Sequence, residues 1–283
     1  MAKIFDRFSD IEEEVAEKAP PIIYKYRDWS NEYHPTILTD NSFWLAHPKE
    51  LNDPYDIRVP VRFDYSEVDT PAFLERLRYQ SQRRFPQINP SSREFIVIVE
   101  NQYDLIRENP TKHFEENYLE MRESDLFDIV GVFSASTNPL NETMWAHYGN
   151  NGQGFCVGLE TVEIVRNSKM SFGFVTYKEE PVLFSFLKPE VNLMNDEAYL
   201  KHSKWAYEEE FRLVSFNIKS KKDRILTYPS SALREVLVGI NISNENLDAI
   251  TKVLKTKYKG NVPLFQVETR PGSYGFAMNP ISY

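Results

Sequence analysis

The side chains best suited to chemistry are concentrated in KWAYEEEFRL, residues Lys204 to Leu213. In an extended strand successive side chains alternate between faces. Glu208, Glu210 and Arg212 are therefore expected on one face, with Phe211 and Leu213 on the other. Two carboxylates and a guanidinium entering a sheet are costly unless they are paired or used. They make either a structural ion-pair ladder or the charged wall of a site. A second segment, GVFSAST, places Ser134 and Ser136 at alternate positions where a strand ends, so both hydroxyls could face a cleft or simply cap the turn at Asn138-Pro139.

Two further segments carry reactive types. In MWAHYGNNGQG, Met144, His147 and Tyr148 fall on one side of a helix at i, i+3 and i+4. The glycines that follow allow close backbone approach to a ligand or a tight helix-to-strand turn. Near the start, Tyr24-Lys25-Tyr26-Arg27 ends a strand, and its guanidinium could clamp a phosphate bidentately. In the turn NDPYD, Asp53 and Asp56 either bind a metal or brace the turn. The phosphate loop GxxxxGK[ST], the dinucleotide fingerprint GxGxxG and any HxxxH pair are absent from the sequence.

These side chains need elements to hold them. A short acidic helix over 6–18 is expected to stop at Pro20-Pro21, with strands at 22–26 and 43–46 and one or two helical turns over 32–39. Thr70-Pro71 reads as an N-cap with proline in the first turn, starting a helix that runs to about Arg84. Further helix is expected over 92–107 and 111–123, and together with the first it forms a helical insertion at about 70–123. The second half reads as strands at 128–134, 154–159, 172–177, 208–216, 235–240 and 264–267. Helices are expected over 142–148, 190–205 and 244–258. The pattern describes one α+β domain over 1–283, with a mixed, mostly antiparallel central sheet flanked by helices.

Composition narrows the classes. The chain has 283 residues and a net charge of −9, which argues against general nucleic-acid binding through phosphate neutralisation. A single cysteine excludes an internal disulfide and a multi-cysteine zinc site. No apolar run approaches the roughly 18 residues of a membrane helix, and a secretory leader is not evident, so a cytoplasmic location is expected. Half of the 10 glycines fall between Gly149 and Gly173.

The segments KYR, FWLAHPKELNDPYD, FSAS, MWAHYGNNGQGFCVGLE and KWAYEEEFRL, in this order from about Tyr24 to Ile240, resemble the bacterial domain of unknown function 2971 family. That family label carries no activity. Tyr26-Arg27, Ser134-Ala135-Ser136 and Glu208-Glu209-Glu210 also resemble the arginine, Ser-x-Ser and Glu-x-Glu motifs of ADP-ribosyltransferases of the arginine-serine-glutamate type. The long helical stretch between the first two departs from compact members of that fold.

The second resemblance implies NAD as co-substrate, with no metal. Arg27 would hold a phosphate. Ser134, with Ser136 beside it, would brace the ribose side, and His147 and Tyr148 would offer a ring to stack on. Glu210 would stabilise the charge formed as nicotinamide leaves, and Glu208 would orient or deprotonate an acceptor that stays open. Two other readings stand beside it. Asp53, Asp56, Glu208 and Glu210 could converge on a divalent metal for phosphodiester hydrolysis. The polar strand face could instead bind a ligand or partner without turnover, in a setting such as phage defence.

Overall fold

The computed structural model describes residues 15–116, 127–185, 187 and 197–283. They group into two compact units. The first comprises residues up to Asn52, Asp128–Tyr177 and Ser203–Tyr283; the second comprises Asp53–Phe127 and Lys178–His202. The fold is α+β, and its main sheet lies wholly in the first unit.

Eight strands build that sheet: β1 (Ile22–Arg27), β2 (Gly131–Ser136), β3 (Phe155–Glu160), β4 (Ser171–Phe174), β5 (Glu210–Ser215), β6 (Leu233–Val238), β7 (Leu264–Thr269) and β8 (Phe276–Pro280). Their spatial order is β8-β7-β6-β3-β1-β2-β5-β4. Every pair is antiparallel except β6 with β7. A parallel pair needs a crossover. Helix Asn244–Lys257 supplies it, with Ser243 Oγ accepting from the Asn246 amide at 3.2 Å as the N-cap.

Strand alternation sorts the core into two layers. On one face Ile23, Phe133, Phe155, Val157, Phe211, Leu213 and Val236 pack with Ile250 and Leu254 of the crossover helix. On the other, Tyr26, Cys156, Leu237 and Val267 pack with Met144 and Trp145. The second layer is where the chemistry-bearing segments meet.

In the second unit, α1 (Pro71–Arg84) starts at the expected Thr70 cap, whose Oγ1 accepts from the Phe73 amide at 3.2 Å, and α2 (Arg93–Glu108) is capped in the same way by Ser92. Phe73, Leu77, Phe95, Val99 and Ile106 form their joint core. Residues 112–116 form a π-helical turn, and the remainder of the expected 111–123 helix lies outside the described residues. So does most of the expected helix over 6–18, of which 15–18 are helical.

The expected helix over 190–205 is corrected. Its described part contains strand Leu200–His202 and then a 3-10 turn, Ser203–Glu208. The last element also moves the start of the adjacent strand, with consequences for the carboxylates. Strand Phe276–Pro280 has no counterpart in the sequence reading.

Candidate functional site

The site candidates of the first unit hang on two short turns. One is α3 (Glu142–His147), whose first turn is capped by Asn141 Oδ1 accepting from the Met144 amide at 3.0 Å. Tyr148 ends the helix, and the chain reverses through Asn150, Asn151 and Gly152, all with positive φ. Gly154 is required by the backbone itself, because a Cβ there would lie 2.2 Å from the Arg27 carbonyl oxygen. Packing therefore accounts for this glycine without a ligand.

The other turn is Ser203–Glu208. Glu209 follows it at φ 46°, a left-handed conformation, and β5 begins only at Glu210. Glu208 is thus not on the strand. The expected common face of Glu208, Glu210 and Arg212 reduces to Glu210 and Arg212, because a left-handed residue breaks the two-residue alternation between them and Glu208. Asn138 Nδ2 donates to the Glu209 carboxylate at 2.9 Å, and the Thr137 amide donates to its carbonyl at 3.0 Å, which ties the bend to the end of β2.

The two turns bring Tyr148, His147, Trp205, Tyr207 and Glu208 of the first unit together, with Asn52 beside them. Tyr148 donates its phenol proton to Glu208 Oε1 at 2.6 Å and accepts from Asn52 Nδ2 at 2.8 Å. Glu208 is buried, and burial together with the Glu208 charge pushes the Tyr148 phenol far above its ordinary pKa. Next to it His147 Nδ1 lies 3.1 Å from the Tyr207 hydroxyl, with the two rings edge-on at 5.6 Å. Trp205 lies against Tyr207 at 6.1 Å. His147 is exposed, and Tyr148, Tyr207 and Trp205 are partly so. The arrangement is a ring-lined surface beside a buried carboxylate.

Glu210 has a different environment. Arg212, fully buried, donates through Nε to Oε1 at 2.8 Å and through Nη2 to Oε2 at 2.9 Å, a bidentate fork within one strand. Register places Ser136 opposite Glu210 and Ser134 opposite Arg212. Ser136 is fully buried, and its Oγ accepts from the Asn138 amide at 3.1 Å, so it braces the strand end. Ser134 shares the face of the ion pair and its hydroxyl makes no hydrogen bond among the described residues.

Arg27 is not brought to this place. Tyr24 pairs with Ser136, and Ser136 pairs with Glu210, so Tyr24 and Tyr26 share the Glu210 face while Lys25 and Arg27 point to the opposite one. Arg27 also lies three residues beyond the level of Glu210, about 10 Å along the strand. Lys25 confirms the side: its ammonium stands 5.0 Å over the Phe133 ring of the other layer. Arg27 forms no ion pair among the described residues, and desolvation pulls its pKa down to about 10. The arginine, serine and glutamate of the ADP-ribosyltransferase pattern thus do not line one cleft.

Asp53 and Asp56 belong to the second unit. Asp56 is buried against Lys201 at 3.3 Å, and Asp53 Oδ1 accepts from the Tyr55 amide at 2.9 Å, a turn brace. Among the described residues no group of three or more His, Cys, Asp or Glu side chains is placed to hold a metal. Burial pushes the lone Cys156 thiol well up, away from nucleophilic use. Sequence reasoning passed over Asn52, Trp205 and Tyr207. Asn52 adjoins the aspartates of its own motif, and the other two precede the three glutamates. Only the fold shows that they join Tyr148, His147 and Glu208.

Residues 144–213 match the family model "Protein of unknown function (DUF2971)". The chain resembles that family. The DUF2971 match begins in α3 and ends in β5, and it holds Trp145, His147, Tyr148, Trp205, Tyr207, Glu208, Glu210 and Arg212. No curated protein and no solved structure matches the chain. No helix among the described residues is long and apolar enough to cross a membrane.

Proposed function

We propose that the first unit is an enzyme acting at the N-glycosidic bond of a nucleoside-type substrate, with NAD the first to test, and that Glu208 is its catalytic carboxylate. The observation that carries this reading is the 2.6 Å Tyr148–Glu208 hydrogen bond set among partly exposed rings. Glycosidic cleavage needs a carboxylate facing the positive charge that grows on the sugar carbon, and a flat surface for the departing base. Tyr148, itself held by Asn52, holds Glu208 in place, and His147, Tyr207 and Trp205 supply the surface.

As the base leaves with the bonding electron pair, Glu208 stabilises the cationic sugar. The acceptor, water or another nucleophile, then attacks the sugar carbon and gives its proton to solvent water. The Glu210–Arg212 pair supports β5 beneath the turn and acts as a positioning pair. The reading keeps the chemistry of the ADP-ribosyltransferase resemblance, moves its catalytic carboxylate from Glu210 to Glu208, and gives Arg27 no part.

Nicotinamide release from NAD by the purified chain tests it. Glu208→Gln should lower turnover at least about a hundredfold with an unchanged melting temperature, as loss of a group in direct contact with the reacting atoms does. Glu208→Gln turning over like the parent protein would remove Glu208 from the chemistry. A chain that shows neither nicotinamide release nor thermal stabilisation by nucleotides would sink the reading as a whole.

A further inference from the structure

Helix α1, in the second unit, carries cations and a ring that the proposed chemistry does not use. Its sequence PAFLERLRYQSQRR holds Arg76, Arg78, Arg83 and Arg84 against one acid, Glu75, in a chain whose net charge is −9. Arg78, Arg83 and Arg84 are exposed and pair with no carboxylate among the described residues. Tyr79 is 56% exposed, so its ring is open to solvent beside these cations. Arg76 stands 5.8 Å from the ring centroid over one face.

A notch of about 340 Å³ opens beside that ring, lined by Arg78, Tyr79, Gln82, Pro90, Phe95 and Ile96. No carboxylate lines it. Gln82 Nε2 donates to the Ile88 carbonyl at 3.2 Å, which holds α1 to the chain beyond it at the floor of the notch. The wall contributed by α2 is apolar, with Phe95 buried and Ile96 exposed. A cation, a half-open tyrosine ring and an apolar wall thus meet in one concavity.

We infer that this notch binds a nucleotide unit, its base stacked on Tyr79 against Ile96 and its phosphate on Arg78. An acidic peptide would use the arginines alone and leave the ring and the wall unexplained. A base has a flat face for Tyr79 and an edge-on contact for Ile96, and stacking of this kind tolerates any base. The unit has two sources, a free mononucleotide or one residue of a single strand. In a strand the neighbouring phosphates meet Arg83 and Arg84 further along α1. The inference stands apart from the reading of Glu208 and survives its failure.

The test uses the full chain at low salt, with AMP in one titration and a fluorescein-labelled 12-nucleotide single-stranded DNA in another. Tyr79→Ala and Arg78→Gln should each weaken binding about tenfold while the melting temperature holds, since both side chains are exposed. The double variant Arg83→Gln/Arg84→Gln should weaken the oligonucleotide alone and flatten its salt dependence. Tight AMP binding identifies the free nucleotide as the source, and binding of the oligonucleotide alone identifies the strand. Failure of both probes to bind overturns the inference. So does binding that persists in Tyr79→Ala and Arg78→Gln but disappears in His147→Ala, which would place the nucleotide on the first unit instead.

Discussion

At the scale of single residues, three adjacent glutamates have three environments. Glu208 is hydrogen-bonded by Tyr148, Glu209 holds a left-handed bend, and Glu210 is forked by a buried arginine. The fork makes Glu210→Gln a stability variant: neutralising one side of a buried, doubly hydrogen-bonded ion pair should cost about 1.5–3 kcal/mol, read by urea denaturation. Glu208→Gln in the same assay should leave the midpoint near that of the parent. Such a contrast was not legible in EEE, because side-chain roles here depend on one positive φ. A second titratable residue gives a pH signature. The Asp28 amide donates to His34 Nδ1 at 3.2 Å. Burial, then the Arg27 and Lys25 charges, pull the His34 pKa down to about 4, with Asp28 pulling the other way. The unfolded chain therefore binds more protons than the folded one between about pH 6.5 and 4, so stability falls as pH drops through that window. His34→Gln should flatten this part of the profile in denaturation curves at pH 7 and pH 4.5.

At the scale of elements, helices announced by caps were readable. Thr70-Pro71 begins a helix where the sequence places one, because an N-cap is local chemistry, and the helices expected over 92–107 and 244–258 prove to be capped by Ser92 and Ser243. The strands with apolar alternation, β1, β2 and β3, were found within a few residues for a similar reason. What could not be read was register. Only pairing shows that Glu235, Gly158, Tyr24, Ser136 and Glu210 lie in one row across five strands. Gly158 leaves the gap across which Tyr24 donates to Glu235 Oε1 at 2.8 Å. A Cβ there would stand 2.8 Å from Glu235 Cγ and 3.1 Å from the Tyr24 ring. Gly158→Ala should therefore lower stability by about 1–3 kcal/mol and quench that hydrogen bond, which thermal melts and tyrosine absorbance titration would record. The facing of Arg27 was hidden on the same ground. A strand-end arginine looks available to either face until its register is known.

For the whole molecule, the segment that carries the DUF2971 match is interleaved with the rest of the sheet. Residues 144–213 contribute β3, β4 and β5, yet β3 reaches β5 only through β1 and β2, which lie outside the match. An excised 144–213 fragment should lack a cooperative thermal transition, whereas the full chain should show one. A sharp melt from the fragment would disprove this dependence on β1 and β2. The central place of β1 also has a consequence for synthesis. Its long partner is β3, paired from Ile22–Glu160 to Arg27–Phe155, so roughly 130 residues separate the two strands. At the usual pace of translation, about 5–20 residues per second, β1 waits on the order of 6–25 seconds on the ribosome before that partner emerges. During that interval Ile22 to Arg27 is an unpaired, β-prone segment in the nascent chain, and holding it apart from its neighbours becomes work for the cell's chaperones.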